Sequence, residues 1–227
     1  MMVKLFIDAG NTRIKWQFTG GAMQSATHAQ FAQAALYWQH LPAPQAIIVS
    51  CVSPVHSLIE QTCQHWSCPI KWFSVDDGVG LQRHYSETLG VDRWAALLAA
   101  RHSIPQQRVL VANAGTALTL DVLIGQDFMG GLICAGRQRM LDSLSQGTQL
   151  PHISAVGQLQ LGQTTPSALS NACAYMMLGA IEQVCKAQHI QAIVLSGGDA
   201  NWLYGLKAWA LPIQVVDNLV IRGLMLA

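Results

Sequence analysis

The chain has 227 residues, 51% of them hydrophobic and only 11% charged, with a formal net charge of +1. That length holds one large core or two small domains of roughly 100 residues each, and so balanced a charge gives no electrostatic footprint for a nucleic-acid backbone or an anionic membrane. A small-molecule partner is expected instead, and a composition this apolar predicts an oligomer.

The segment from Met1 to Asp8 is too short for a signal-peptide core and has no cleavage site, which predicts a cytoplasmic location. Its apolar end, Leu5 to Ile7, runs through Asp8 into Ala9-Gly10-Asn11-Thr12. The chain then resumes with Ile14, Trp16 and Phe18 alternating with Arg13, Lys15 and Gln17. Alternation of that kind predicts a half-buried hairpin strand. Further strands are expected at Ala46 to Val52 and Ile70 to Val75, and a helix at Val91 to His102. The longest apolar runs, such as Ala46 to Val52, fall far short of the roughly 20 residues that span a bilayer.

The opening pattern then returns. Leu110-Val111-Ala112-Asn113-Ala114-Gly115-Thr116-Ala117 echoes Leu5 to Thr12 and sets Asn113 over Asp8. Two copies at a long period predict two related α/β domains rather than a solenoid, which needs at least three short units. The boundary is expected near Ile104 to Gln107, dividing the chain into residues 1–105 and 106–227. Strands at Asp121 to Ile124 and Phe128 to Cys134, a helix at Pro166 to Gln188 and a strand at Ala192 to Ser196 follow. Hairpins followed by alternating helix and strand predict a mixed sheet in each half. Thr165 is read as the cap of the long helix, with Pro166 at its first position, and the free amides there suit an anion.

Six cysteines, at 51, 63, 68, 134, 173 and 185, lack a framework spacing and read as reduced thiols. Cys63, His65 and Cys68, with His56 and Cys51 nearby, could hold a metal, but no second ligand pair completes a structural zinc site. A buried helix face explains them better.

Phosphoryl transfer needs a phosphate cradle, a carboxylate to hold hydrated magnesium and a base near the attacking hydroxyl. Asp8 to Thr12 supplies an acid at a strand end, a glycine and two polar donors. Taken singly this is equally an Asx-type hairpin turn; its duplication at Asn113 to Thr116 weighs against that. Gly90-Val91-Asp92-Arg93 opens a helix with an acid that the helix N-terminus favours, and Arg93 beside it, unfavoured by the dipole, points to an anionic partner. Gly197-Gly198-Asp199 leaves bare backbone at a strand end, suited to a flat ligand such as adenine or simply to a helix-start turn. Neither a P-loop, a dinucleotide fingerprint nor a nucleophile elbow is present.

Asp8-Ala9-Gly10-Asn11-Thr12, Gly90-Val91-Asp92-Arg93, Asn113-Ala114-Gly115-Thr116-Ala117, Gly162-Gln163-Thr164-Thr165 and Ser196-Gly197-Gly198, in this order, resemble type III pantothenate kinase over nearly the whole chain. The resemblance implies an actin-like fold of two ribonuclease-H-like domains, a homodimer, and phosphorylation of pantothenate at the first step of coenzyme A synthesis. It implies that Asp8, Ala9, Gly10, Asn11, Thr12, Arg13, Ile14 and Lys15 line the ATP phosphates, Asp8 through magnesium, and that Thr116 also contacts ATP. Gly90, Val91, Asp92 and Arg93 would hold pantothenate, with Asp92 as general base, and Tyr85 and Thr165 would complete that pocket, partly across the dimer interface. The family's pattern has Asp where this chain has Asn113, the expected ligand of a potassium or ammonium ion. Loss of that charge predicts weak dependence on the monovalent cation. Two rivals remain: a kinase of another small hydroxylated or carboxylate substrate, and a non-catalytic regulatory homologue.

Overall fold

The computed structural model describes residues 3–77, 80–104, 106–146, 150, 152–153 and 156–227. By packing, the chain divides into two compact units, Met1–Gly80 with Ser86–Ala99 and Leu219–Ala227, and Leu81–Tyr85 with Ala100–Asn218. The expected division at residues 105 and 106 differs in three respects. The seam falls inside a helix, Leu81–Tyr85 joins the second unit, and the last helix of the chain joins the first. Of the expected boundary segment, Pro105 lies outside the described residues.

In the first unit, β1 (Lys4–Ala9), β2 (Arg13–Phe18), β3 (Gln24–Thr27), β4 (Ala46–Cys51) and β5 (Ile70–Trp72) form one sheet in the order β3-β2-β1-β4-β5. The hairpin strands are antiparallel and β1, β4 and β5 are parallel. Because side chains alternate across a strand, Leu5, Ile7 and Ala9 of β1 face one way with Ile14 and Trp16 of β2, all buried. They pack with α1 (His28–Ala34), a short 3-10 turn at Leu36–His40 and α2 (His56–Cys63). Aromatic rings fill this core: Trp38 stacks on Trp66 at 5.5 Å between centroids, and Trp16 meets Phe31 and Trp38 edge-on at 5.4 and 5.8 Å. Burial of each such ring contributes about 2–3 kcal/mol, which fixes the hairpin and leaves its other face for chemistry. On that other face stand Asp8 and Lys15, paired across the hairpin, and Ser50, beside Asp8 on β4. The unit is completed by the start of α3 (Val91–Ser103) and by α7 (Leu219–Leu224), which packs on β1 and β4.

The second unit repeats the plan. Its strands are β6 (Gln82–Arg83), β7 (Arg108–Ala114), β8 (Ala117–Ile124), β9 (Asp127–Ala135), β10 (Ala192–Ser196) and β11 (Ile213–Val215), in the order β11-β10-β7-β8-β9-β6. Read from β9 to β11 this is the order of the first sheet, with the same antiparallel hairpins and parallel pairs; β6 is added at the edge. Leu110, Ala112 and Ala114 join Leu118, Leu120, Ile193 and Leu195 against Met177, Leu178 and Ile181 of α5 (Thr165–Ala187). The remaining helices are α4 (Arg137–Ser145) and α6 (Ala200–Gly205). The two units thus share one strand order, as the repeat led one to expect, and it is the ribonuclease-H-like order that the family resemblance implied.

The strand at Ile70 stops at Trp72 rather than Val75, and the second hairpin is longer than expected, Ala117–Ile124 against Asp127–Ala135. The expected strand began only at Asp121, whereas β8 starts four residues earlier and takes in Thr119. The cap of α5 also moves: Thr164, not Thr165, accepts a hydrogen bond from Ser167 N, and Ser167 Oγ accepts one from Thr164 N. Pro166 is therefore at the second helical position, which tolerates a missing N–H as well as the first does.

Candidate active site

Asp8, at the end of β1, is held from both sides of the sheet. Its strand neighbours are Lys15 and Ser50, and the carbonyl of Ala9 just beyond it accepts hydrogen bonds from Val52 N at 3.1 Å and Ser53 Oγ at 3.2 Å. Burial pushes the Asp8 carboxyl up to about 7, against the pull of Lys15 and with a further push from the charge of Asp92. Asp92 is therefore near enough for its charge to act on Asp8, and a cation beside Asp8 would favour its ionised form.

The turn after Asp8 is braced. Gly10 N donates to Arg13 O at 3.1 Å, and the Gly10 carbonyl lies 2.8 Å from His28 Nε2 at the start of α1. With that carbonyl tied to His28, peptide planarity aims the Asn11 N–H the opposite way. Arg13 donates to Ser25 Oγ at 3.0 Å. Asn11, Thr12 and Arg13 are exposed and Lys15 is half-buried, whereas Ile14 is fully buried in the core. Ile14 and Ala9 thus anchor the turn, and only the rest of the expected phosphate-lining set is open to a ligand.

At the start of α3, Asp92 Oδ1 accepts a hydrogen bond from Arg93 N at 2.8 Å. Burial raises the Asp92 carboxyl, and the Arg93 amide and guanidinium hold it back. Arg93 itself is buried, so part of its role is to face the neighbouring acid. Gly90 has a specific reason to be glycine: a Cβ there would come within 2.6 Å of Asp92 Oδ1. A carboxylate folded back over a helix start needs that space. Val52, beyond Ser50 on β4, lies 3.9 Å from the same point, so the helix start and the Asp8 face of the sheet are neighbours.

In the second unit the equivalent turn is held mainly by backbone. Asn113 is half-buried, between Thr119 and Ser196 in register, and Thr116 is exposed. Gly115 N donates to Ala117 O at 2.9 Å, Gly136 N to Thr116 O at 3.1 Å, and Asp199 N to Ala114 O at 3.0 Å. Gly197 has φ of +98°, and any Cβ on it would overlap the Ala114 carbonyl, so its bare backbone serves close packing; Gly198 has open space around it. Tyr85 stacks on Phe128 at 5.5 Å, and Thr165 is exposed in the first turn of α5. Asp8 to Lys15 and Gly90 to Arg93 accordingly come together in the first unit, while Tyr85, Asn113, Thr116 and Thr165 belong to the second.

Several residues here escaped the sequence reading. Asp121 is a buried acid on the Asn113 face of β8, and its place inside the apolar run Leu118 to Ile124 was a signal. Arg137 pairs with Asp199 at 3.2 Å and lies over Trp202 at 5.5 Å; nothing local in sequence joins residues so far apart. The six cysteines are free thiols. Burial and the neighbouring Cys68 push the Cys63 thiol up to about 12, which opposes the thiolate a metal requires. Among the described residues no cluster of three or more His, Cys, Asp or Glu side chains is placed to hold a metal ion.

Among solved structures, the fold is similar to a Campylobacter jejuni protein named for the Baf family of transcriptional activators, at 19% identity and TM-score 0.66 over 97% of this chain and 95% of that one. It is also similar to a Sinorhizobium meliloti protein named as a 2-dehydro-3-deoxygalactonokinase, at 14% identity and TM-score 0.62 over 98% and 97%. Those likenesses concern the fold alone. Sequence goes further: a type III pantothenate kinase of Chromobacterium violaceum is 34% identical over 98% of both chains. The family model described as type III pantothenate kinase matches residues 4–187, a span that includes both turns and the Gly90 to Arg93 segment. With its motifs, its duplicated sheet and its full-length similarity in agreement, this chain belongs to the type III pantothenate kinase family.

Proposed function

We propose that the protein transfers the γ-phosphoryl group of ATP to the primary hydroxyl of pantothenate, giving 4'-phosphopantothenate and ADP, the first step of coenzyme A biosynthesis. The observation that carries this reading is the meeting of Asp8 and Asp92 beside the first sheet, two acids that burial raises, with the charge of Asp92 adding to the rise at Asp8, in a chain of this family.

Each acid has a separate task. Asp92, kept in place by Arg93 N and the space at Gly90, takes the proton of the pantothenate hydroxyl as its oxygen attacks the γ-phosphorus and ADP leaves. Asp8 would hold magnesium through water, and the ion would supply neutralisation of the negative charge on the nucleotide's phosphates. The residues fit a hard cation, since an acid starved of solvent and flanked by a serine hydroxyl offers only oxygen donors. Gly10 to Arg13, Lys15 and Thr116 serve ATP, while Ala9 and Ile14 anchor the turn. Gly90 to Arg93, Tyr85 and Thr165 serve pantothenate, and Asn113 binds potassium or ammonium weakly.

A cytoplasmic homodimer completes the reading. Among the described residues no helix is long and apolar enough to cross a membrane. Met129 and Leu132 of β9 are exposed and line an apolar groove with Ala180, Val184 and Ala187 of α5, while Tyr175 and Met176 of α5 are also half-exposed. Light scattering on the purified chain would give twice the monomer mass.

The deciding experiment is a coupled assay with ATP and magnesium, offering pantothenate against a panel of sugars and acetate. ADP release with pantothenate alone supports the reading. Preference for a sugar or acetate replaces the substrate, and no turnover with any of them favours a regulatory protein.

A further inference from the structure

Lys15, Asp8 and Ser50 form one row across three strands, each directly opposite the next in register. Residues so placed point to the same face of a sheet. Ser50 is the enclosed end of the row: the residue is 0% exposed, and its hydroxyl has no hydrogen-bond partner among the described residues. The neighbouring Asp8 carboxylate, an acceptor within reach of a parallel neighbour some 4.8 Å away, does not take it. A buried hydroxyl without a partner is destabilising, and alanine would fill the same space without that penalty. Its counterpart in the second unit, Ser196, stands beside Asn113 in the same way, yet of the two only Ser50 Oγ is an orphaned, fully enclosed atom.

We propose that Ser50 is a positioning residue for the magnesium ion that accompanies ATP: its enclosed hydroxyl finds its missing partner in the neighbouring Asp8 carboxylate, donating to it and orienting it when the bound ion holds Asp8 in its ionised form. The inference rests on the nucleotide reading given above and adds a residue to it. Lys15 occupies the other flank of Asp8, so the carboxylate lies between a cation and a hydroxyl that can donate to it. Asp8 supplies the charge and Ser50 the direction.

The test is Ser50→Ala, read by calorimetric ATP binding with magnesium and again with EDTA, together with the melting temperature of the ligand-free protein. Expected are a dissociation constant for magnesium-ATP raised about 5- to 10-fold, as loss of one hydrogen bond gives, and ATP affinity in EDTA unchanged within about twofold. The ligand-free melting temperature should hold or rise by about 2–4 °C. A lower melting temperature with an unchanged magnesium increment makes Ser50 a structural residue and overturns the proposal. Equal weakening with magnesium and with EDTA also overturns it, by placing the hydroxyl on the nucleotide instead. Absence of ATP binding by the unaltered protein removes the nucleotide reading itself, a failure distinct from either.

Discussion

The two Gly turns of this chain are built on the same strands in the same order and differ in chemistry. In the first unit the row across the sheet is Lys15, Asp8, Ser50; in the second it is Thr119, Asn113, Ser196. The first row carries both charges, and a second acid, Asp92, sits within its field. The second row is neutral, and its turn is secured by backbone bonds from Gly136 and Asp199 and by the close approach of Gly197. Duplication preserved the geometry of a strand end while leaving its charge free to change. The first turn carries charge and the second does not, and each substitution below shifts that contrast.

The largest effect is expected at the acid without a counterpart in the second unit. Asp92→Asn should lower kcat by a factor of order 100 or more, as removal of a positioned base does, while pantothenate affinity stays nearly constant. Steady-state kinetics beside direct binding would check it, and unchanged turnover would remove Asp92 from the mechanism.

Asp8→Asn makes the first turn neutral like the second. Turnover should fall by a comparable factor of about 100, because an amide cannot replace the charge that holds magnesium. Stability should move the other way. A carboxyl raised from its ordinary value to about 7 favours the folded state when protonated, so its contribution is complete below the unfolded pKa near 4 and is lost as pH rises through 7. The ligand-free protein should therefore melt at progressively lower temperature from pH 5 to 8, and the variant should lose much of that slope. At pH 8 the variant gains about 2 kcal/mol, an allowance for partial solvent screening included. Thermal scans across that range test the sign directly.

Gly90→Ala sharpens the same contrast without altering a charge. Its methyl group would press on Asp92 Oδ1, and a displaced base should cost about 10-fold in kcat with less than about 1 kcal/mol of stability, since a flexible carboxylate yields more easily than backbone. Equal activity would mean that the carboxylate adopts another position in the working enzyme. Asn113→Asp runs the comparison in reverse by charging the second turn. Comparing rates in potassium and in a large organic cation should show the parent enzyme nearly indifferent and the variant several-fold faster in potassium; near-complete dependence in the parent would contradict the reading of Asn113.

What could be read in advance follows from the range of the interactions concerned. The duplication is written in eight consecutive residues of each copy, Leu5 to Thr12 and Leu110 to Ala117, because a strand ending in a polar residue and a glycine turn is a local device. The alternation from Arg13 to Phe18 likewise announced which face of the hairpin is core. Membership of α7 in the first unit was not legible: it depends on the close packing of Gly223 against Ala95, more than 100 residues away in sequence. Ser50 was hidden for a related reason. Inside Ile47-Ile48-Val49-Ser50 it reads as a lapse in an apolar run, and only strand register reveals that Asp8 is its neighbour.

The smallest expected effects separate two adjacent threonines that sequence could not tell apart. Both can cap a helix, and proline is tolerated at either of the first two helical positions, so Thr165 was the natural choice. The reciprocal bonds between Thr164 and Ser167 give the cap to Thr164 and leave Thr165 exposed one residue inside the helix. Thr164→Ala should therefore cost about 1 kcal/mol of stability, lowering the melting temperature by about 2–4 °C, with kinetic constants little changed. Thr165→Ala should leave the melting temperature nearly constant and raise the KM for pantothenate a few-fold, the loss of one hydrogen bond to substrate. Since the two variants differ by one position and remove the same atoms, each is the other's control. If Thr165→Ala lowers stability and spares KM, Thr165 belongs to the scaffold of α5, and the second unit has one fewer claim on the substrate.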